Sequence, residues 1–241
     1  MIAVTSGKTN KGGVAMKLFI DSADIGEIEK WLSAGIRDGI TTNPTLLKKA
    51  GVTDTVSAWR GIVDLIKKYS LTPLSLSVEV FKDDAEGMVE QAKDFVSKLN
   101  YLGTTIKIPI LGTDGTDRLE VIRILSDLKI AVNCTACVHW FQAFSAAKAG
   151  AKYVSLLYCR SNDAGLDGLD MITRTRRLID QHGLVSEIII GSIRQAKQVF
   201  QVYDAGAHII TVPPKFFPEL LFHQKSVDTQ KQFLADAGVE V

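Results

Sequence analysis

A regular alternation between short β-branched segments and longer amphipathic segments constrains the fold more than any other feature of this sequence. The short segments predict strands at residues 17–21, 36–41, 74–80, 104–108, 130–135, 153–158, 187–191 and 208–212. The longer segments predict helices that end near residue 34 or span 52–69, 85–99, 118–128, 139–149, 169–182, 194–205 and 215–225. Eight such units without a linker favour an α/β fold, a closed (β/α)8 TIM barrel in one domain. An open dinucleotide-binding sheet is disfavoured because no G-x-G-x-x-G pattern follows the first predicted strand.

The two ends of the chain lie outside this pattern. Residues 1–15 show no sustained helical or strand period, so we predict a disordered N-terminal extension there. The predicted barrel then spans residues 16–225, and residues 226–241 predict a C-terminal helical segment.

Composition and charge disfavour several classes of protein. The chain has 46% hydrophobic and 23% charged residues, which is ordinary for a globular protein, and its net charge of +1 predicts no nucleic-acid partner. No apolar run approaches the roughly 20 residues that cross a bilayer, so we predict no membrane partner. The N-terminal stretch lacks the apolar core of a signal peptide. Three cysteines in 241 residues predict a reducing, cytoplasmic location.

The predicted fourth strand, in the segment TTIKIPI, contains a lysine among isoleucines. Side chains alternate along a strand, so Ile106 and Ile108 share one face while Thr105 and Lys107 share the other. Burial disfavours the charged form of a lysine, and the neutral amine is a nucleophile toward carbonyl groups. We therefore predict that Lys107 points into the barrel and forms a Schiff base with a ketose.

Polar side chains occur at the carboxyl ends of the other predicted strands, where barrel enzymes have their active sites. The third strand alternates so that Ser75, Ser77 and Glu79 share one face, and the opposite, aliphatic face packs on helices. Glu79 should therefore point into the lumen. The other candidates at strand ends are Asp21, Thr41, Thr42, Asn43, Asn133, Thr135, Ser155, Arg160, Ser192 and Arg194.

These residue types predict which side chain performs each step of the reaction. An imine on Lys107 is an electron sink for cleavage of the adjacent C–C bond. Asp21 and Glu79 are two carboxylates that can move the necessary protons, directly or through a water molecule. Thr135 and Asn133 can orient that water and the substrate hydroxyl groups.

A second group of side chains predicts an anion seat, formed by Ser192, the backbone N–H groups that follow it, Arg160 and Arg194. Less specific interpretations stay open for several candidates. Asp21 or Asn43 at a strand end can be a helix cap, and Arg160 can be a surface charge. A Glu79–Lys107 contact can be a structural ion pair. Clustering of titratable groups in one cleft favours the functional interpretation.

The sequence resembles the transaldolase family, specifically its small-chain branch, which includes the fructose-6-phosphate aldolases. The matching segments are FIDSADIGEIE, GITTNPTLL, SVEV, EGMVEQA, KIPI, NCT, QAFSAAKAGAKYVS and GSIR. The resemblance implies a barrel with Lys107 as the Schiff-base lysine, Asp21 as acid/base, and Glu79 with Thr135 holding the catalytic water. The substrate contacts that it implies are Asn43, Asn133, Ser155, Arg160, Ser192 and Arg194.

The resemblance also implies an activity and an assembly. The activity is transfer of a dihydroxyacetone unit between sugar phosphates, with no cofactor and no metal site. The assembly is a ring-shaped homo-oligomer, a pentamer or a decamer, in which the C-terminal segment from residue 226 contacts a neighbour.

Transferase and lyase members of this branch differ at two positions. The aldolases carry glutamine where Glu79 stands and tyrosine where Leu157 stands, so Glu79 and Ser155 favour a transaldolase, with a lyase as the alternative. Residues 156–159, residues 136–140 and the segment GSIRQA depart from the family pattern. Because these departures lie near the acceptor or phosphate end, a non-standard sugar is a further alternative.

Two other functions compete with this one. Cys134, Cys137 and Cys159, with His139 nearby, suggest a zinc or redox site. We expect buried thiols instead, because Cys134 and Cys137 should face opposite sides of one strand and structural zinc needs four converging ligands. A non-catalytic sugar-phosphate-binding barrel is disfavoured by the presence of Lys107.

Overall fold

The protein folds as a closed barrel of eight parallel strands. A computed structural model describes residues 16–239, so the predicted extension at residues 1–15 lies outside the described residues. The strands are β1 (Lys17–Asp21), β2 (Gly39–Thr41), β3 (Ser75–Glu79), β4 (Thr104–Pro109), β5 (Ala131–Cys137), β6 (Tyr153–Leu157), β7 (Glu187–Gly191) and β8 (Ile209–Val212). They pair in sequence order, and β8 pairs with β1 to close the ring. The predicted (β/α)8 fold class is confirmed.

Helices follow every strand and cover the outside of the ring. They are α1 (Ile25–Ser33), α2 (Pro44–Lys49), α3 (Thr55–Tyr69), α4 (Ala85–Leu99), α5 (Leu119–Asp127), α6 (Trp140–Lys148), α7 (Tyr158–Asp163), α8 (Gly168–Gln181), α9 (Lys197–Asp204), α10 (Phe217–Leu221) and α11 (Gln224–Asp236). Within residues 16–239, no helix combines the length and the apolar character that crossing a membrane requires.

Strand β2 is three residues shorter than predicted. The two residues before it are held by hydrogen bonds of their side chains rather than by pairing in the sheet. The Arg37 side chain donates to the carbonyl oxygen of Leu32 at 2.9 Å, and Asp38 accepts from the backbone N–H of Leu18 at 2.8 Å. These bonds join the end of α1 and the start of β1 to the segment that enters β2.

Two segments after strands differ from their predictions. The polar stretch after β6, for which no helix was predicted before residue 169, begins with the short helix α7, which contains Arg160. The helix predicted at 215–225 is wrong: Pro214–Phe216 is a 3-10 turn, and α10 and α11 are separate helices. The break before α11 is stabilised by His223, whose Nδ1 atom accepts from the backbone N–H of Lys225 at 3.1 Å.

The barrel has two apolar regions. The larger one lies between the outward faces of the strands and the surrounding helices. A smaller cluster of Phe19, Tyr153, Ile189 and Ile209 fills the lumen beside β1, β6, β7 and β8. Gly39 makes room for it, because a Cβ atom at this position would lie 2.5 Å from the Phe19 ring. The apolar cluster leaves the polar side of the lumen, along β2 to β6, to the candidate site.

Candidate active site

Lys107 lies inside the ring, at one level with a residue on each neighbouring strand. The strand register places Glu79 of β3 and Asn133 of β5 opposite Lys107 of β4. Its side chain is only 9% exposed. The alternation that predicted an inward-facing lysine therefore puts its amine among polar groups rather than among the isoleucines of the same strand.

Two oxygen atoms hold the amine of Lys107. Its Nζ atom lies 2.9 Å from Oε2 of Glu79 and donates to the carbonyl oxygen of Thr42 at 3.0 Å. Thr42 is fixed in turn, since its hydroxyl donates to the Ser77 carbonyl oxygen at 2.9 Å and accepts from Nε1 of Trp59 at 3.1 Å. The amine is therefore held between a carboxylate and a backbone carbonyl oxygen at the carboxyl end of β4.

The carboxyl group of Asp21 has a perturbed titration. Burial raises the pKa of Asp21 above 3.8, although the hydrogen bond from Thr41 and the positive charge of Lys107 both lower it. The Thr41 hydroxyl donates to Oδ1 of Asp21 at 2.7 Å and lies 2.5 Å from the Thr211 hydroxyl. A carboxyl group with a raised pKa near a lysine is suited to donating as well as accepting protons.

Asn133 connects two serines across the lumen. Its Nδ2 group donates to the Ser77 hydroxyl at 3.2 Å, and its Oδ1 atom accepts from the Ser155 hydroxyl at 2.7 Å. All three side chains are buried. The chain of hydrogen bonds fixes the orientation of the Asn133 amide beside Lys107.

Thr135 and Asn43 lie near strand ends, and Asn43 caps the helix that follows it. Asn43 Oδ1 accepts from the backbone N–H of Leu46 at 2.9 Å and so caps α2. The Nδ2 group of Asn43 can still donate to a substrate hydroxyl. Thr135 is buried on β5, opposite Pro109 in the register.

Arg194 of the predicted anion seat has a partner within the protein. Arg194 forms a two-pronged ion pair with Asp163, at 2.9 and 2.6 Å. Ser192 has a left-handed backbone, with φ of 61°. Arg160 is exposed on α7, three positions before Asp163. The hydrogen bonds from Arg194, together with the positive charges of Arg194 and Arg160, lower the pKa of Asp163 below 3.8.

The backbone N–H groups of the same seat are also occupied. The side-chain oxygen of Gln198 accepts from the N–H of Arg194 at 2.8 Å and from that of Gln195 at 3.0 Å. Equivalent bonds close the loops after β3 and β5, where single oxygens of Gln91 and Gln142 each accept from two consecutive N–H groups. The glutamine cap is therefore a repeated structural feature of this barrel.

The expectation that Cys134 and Cys137 face opposite sides was wrong. Their sulfur atoms lie 3.7 Å apart, because the register shifts between them and Ala136 adopts a φ of 60°. Both thiols are buried, and burial raises the pKa of Cys134 well above 9.0. Among residues 16–239, no three His, Cys, Asp or Glu side chains are arranged to hold a metal ion.

Several residues around the site were not recognised in the sequence. Thr211 could have been found, because the period of two places it on the lumen face of β8. Trp59 gave no signal, since it lies on α3 and contacts Thr42 from 17 positions away. Asp163 and Gln198 were likewise missed, because polar residues on helices usually face solvent.

The fold and the site together define a (β/α)8 barrel with a lysine, two carboxyl groups and an amide near the carboxyl ends of its strands. A family model for transaldolase/fructose-6-phosphate aldolase matches residues 18–240, and the chain belongs to this family of enzymes.

Curated relatives match nearly the whole chain. The probable transaldolase of Shouchella clausii is 37% identical over 225 residues, which are 93% of this chain and 98% of the relative. The probable transaldolase of Thermoplasma acidophilum is 37% identical over 221 residues, 92% of this chain and 95% of the relative. That of Oceanobacillus iheyensis is 36% identical over 221 residues, 92% and 98% of the two chains.

Proposed function

We propose that this protein is a Schiff-base transaldolase of the non-oxidative pentose phosphate pathway. It transfers a dihydroxyacetone unit from sedoheptulose 7-phosphate or fructose 6-phosphate to glyceraldehyde 3-phosphate or erythrose 4-phosphate. The observation that carries the proposal is the buried amine of Lys107, held 2.9 Å from Glu79 at the end of the lumen where barrel sites lie.

The first half of the reaction forms the imine. Glu79 takes a proton from the Lys107 ammonium, and Nζ then attacks the ketose carbonyl carbon to give a carbinolamine. Loss of the carbinolamine hydroxyl as water requires a proton, which Asp21 supplies because its pKa is raised by burial. Asn133 and Asn43 bind substrate hydroxyl groups, and Ser155 holds the Asn133 amide in place.

The second half breaks and remakes a C–C bond. A carboxylate removes the proton of the hydroxyl on the carbon beyond the bond to be cleaved, the aldose leaves, and the electron pair passes into the imine to give an enamine. The enamine attacks the aldehyde carbon of the acceptor while the carboxylic acid returns its proton to the aldehyde oxygen, and water then adds to the regenerated imine and releases the new ketose from Lys107. Glu79 and Thr135 are suited to holding that water, since they lie on β3 and β5, the two strands that flank Lys107 on β4.

Glu79 supports transfer over simple cleavage. Its carboxylate can exchange protons with a catalytic water, whereas the glutamine that the aldolase members carry cannot. A fructose-6-phosphate aldolase and a non-catalytic binder of sugar phosphates are the alternatives, and both are outcomes of the following test.

The test is borohydride trapping with fructose 6-phosphate, followed by peptide mass spectrometry. A transaldolase or an aldolase gains the reduced sugar on Lys107, and the variant Lys107→Met does not. Lys17→Met is a matched control, because Lys17 pairs with Glu187 at 2.7 Å at the other end of the lumen. Adding erythrose 4-phosphate separates the enzymes, since only a transferase makes sedoheptulose 7-phosphate efficiently. An unlabelled Lys107 contradicts both enzymatic functions.

We also propose a homo-oligomer, a pentamer or decamer, in which α11 contacts a neighbouring subunit. Helix α11 has thirteen residues and none of them is buried, while its Phe233 is 62% exposed. An isolated helix of this length is marginal in water, so a partner surface is needed to stabilise it. Light scattering should give a ring-sized mass for the full chain and a smaller one for a chain ending at residue 223. If both chains assemble into the same number of subunits, the proposal is wrong.

A cytoplasmic location completes the proposal. It is supported by Cys134, Cys137 and Cys159, which are all free thiols, as expected in a reducing compartment. Fractionation of the native cells, with the protein detected by antibody, tests it.

A further inference from the structure

Two threonines, one on each strand that flanks β1, meet beside the carboxyl group of Asp21. The strand register places Thr41 of β2 opposite Asp21, and it places Thr211 of β8 opposite Phe19, two positions earlier on β1. The Thr41 hydroxyl lies 2.7 Å from Oδ1 of Asp21 and 2.5 Å from the Thr211 hydroxyl. Both threonines are buried. The three groups therefore form a short chain of hydrogen bonds that ends on a carboxyl group.

The number of available protons fixes the direction of this chain. A hydroxyl group donates one hydrogen bond, and an ionised carboxylate only accepts, so the Thr41 proton is directed at Asp21. Thr211 must then donate to Thr41. The reverse direction would leave the proton of Thr211 without an acceptor, because its hydroxyl has no other partner within residues 16–239. Phe19 and Ile209, from the apolar cluster of the lumen, offer it none.

The two oxygen atoms of Asp21 consequently differ in what they can do. Oδ1 accepts the hydrogen bond from Thr41, whereas no group in the described part of the chain donates to Oδ2. Oδ2 is therefore free to exchange a proton with a substrate. A carboxyl group that is held through one oxygen presents the other in a constant direction, which favours proton transfer in a fixed geometry.

We propose that Thr211 is a positioning residue for Asp21, because its donation to Thr41 directs the Thr41 proton at Oδ1 and leaves Oδ2 for proton transfer. The inference rests on the proposed function for the acid/base role of Asp21, although the chain of hydrogen bonds can be tested without catalysis. Donation by Thr211 polarises the Thr41 hydroxyl and strengthens its bond to the carboxylate.

The pKa of Asp21 reports the strength of this chain. Burial raises that pKa, and the hydrogen bond from Thr41 opposes the increase. Weakening the Thr41 bond should therefore raise the pKa further. The charged groups near Asp21 are Lys107 with its partner Glu79, and the side chains that line the adjoining cavity, which are Asp24, Glu27, Lys49 and Lys215. None of them changes in the variants used below.

The first test is an NMR titration of the Asp21 carboxyl carbon in the full chain. Thr211→Val keeps the shape of threonine without its hydroxyl, and Thr41→Val removes both hydrogen bonds. We expect the pKa of Asp21 to rise in Thr211→Val and to rise more in Thr41→Val. The double variant should match Thr41→Val alone, because Thr211 acts only through Thr41. Thr211→Ser retains the hydroxyl and should restore the wild-type pKa.

The second test uses the transfer reaction. We expect kcat to fall by about tenfold in Thr211→Val and by about 10²-fold in Thr41→Val, since a bond to a charged group is the stronger one. KM should stay within about twofold, because the chain orients a proton-transfer group rather than the substrate. Thr211→Ser should recover most of the wild-type kcat.

A matched control separates this effect from the loss of any buried hydroxyl. Thr105→Val breaks another buried hydroxyl pair, in which the Ser75 and Thr105 oxygens lie 3.1 Å apart, and it should change neither kcat nor the pKa of Asp21. If Thr211→Val does not fold, Thr211→Ala replaces it, because alanine adds no methyl group beside Thr41.

The outcomes distinguish the two proposals. The positioning role is wrong if the pKa of Asp21 is the same in the wild type and in Thr211→Val, or if the shifts of the single variants add in the double variant. It is also wrong if an active enzyme keeps its full kcat in Thr211→Val. If the pKa shifts appear but fructose 6-phosphate and borohydride leave Lys107 unlabelled, the proposed function is wrong and the hydrogen-bond chain stands.

Discussion

The amine of Lys107 and the carboxylate of Glu79 lie 2.9 Å apart, on neighbouring strands and opposite each other in the strand register. A buried pair of this kind gives little net stability, because desolvation of both ions offsets their attraction. Its position at the carboxyl ends of β3 and β4 instead suits proton exchange between the two groups before and after attack on a carbonyl.

Replacing Glu79 removes the proton acceptor beside the amine. In Glu79→Gln the carboxamide still accepts a hydrogen bond from Lys107 but takes no proton, so we expect the transfer rate to fall by about 10²-fold or more. Product analysis under saturating ketose and aldose measures the rate. Glu187→Gln, in the other lysine–glutamate pair of the lumen, should retain the full rate. Loss of activity in both variants would point to a general electrostatic effect.

Replacing Asp21 should raise stability while it lowers activity. Burial raises the pKa of Asp21 in the folded chain above the value of about 3.8 that it has in the unfolded chain. As the pH rises from that value through the raised folded pKa, ionisation of the buried carboxyl group lowers the stability of the fold. At neutral pH, Asp21→Asn avoids that cost, and we expect Tm to rise by about 2–4 °C for each kcal/mol recovered. Turnover should fall because an acid/base is lost.

Thermal melting and kinetics of Asp21→Asn at pH 7 test this trade-off, and melting near pH 3 provides the control. There Asp21 is protonated in both states, so the stability gain should vanish. A gain that persists at pH 3, or a variant with normal turnover, contradicts the assigned role.

Trp59 should act on the site through Thr42. The variant Trp59→Phe removes the Nε1 donor to the Thr42 hydroxyl and leaves a small cavity in a fully buried position, so we expect a loss of about 2 kcal/mol of stability. Because the Thr42 carbonyl oxygen accepts from Lys107, kcat should fall more than KM changes. Denaturant unfolding and steady-state kinetics measure the two effects. If the stability changes but kcat does not, Trp59 contributes to the core and has no effect on the site.

His208 should make the fold sensitive to mild acid. Burial, followed by the charge of Arg176, lowers the pKa of His208 below 6.5, and its Nδ1 atom accepts from the N–H of Ile188 at 3.0 Å. The unfolded chain therefore binds a proton that the folded chain rejects, and stability should fall as the pH drops below about 6.5. This fall should be smaller in His208→Gln between pH 6.5 and 5. His182→Gln, at an exposed position, should behave like the wild type.

Much of the site was accessible from local sequence patterns. The period of two along β3, β4 and β5 predicted that Glu79, Lys107 and Asn133 face the lumen, and they do. The pattern failed at Cys134 and Cys137, because the bulge at Ala136 breaks the alternation. A bulge depends on how a strand fits its neighbours, and no residue type in this segment marks it.

The sequence by itself determined the number of strands, the closed barrel and the faces that carry polar groups, since these depend on short-range periodicity and on the order of elements along the chain. Tertiary structure alone decided which polar groups are paired. Arg194 and Asp163 are 31 positions apart, and the Gln198 cap depends on the path of one loop. Hydrogen bonds require specific distances and directions between such groups, and these are set only when the whole ring has closed.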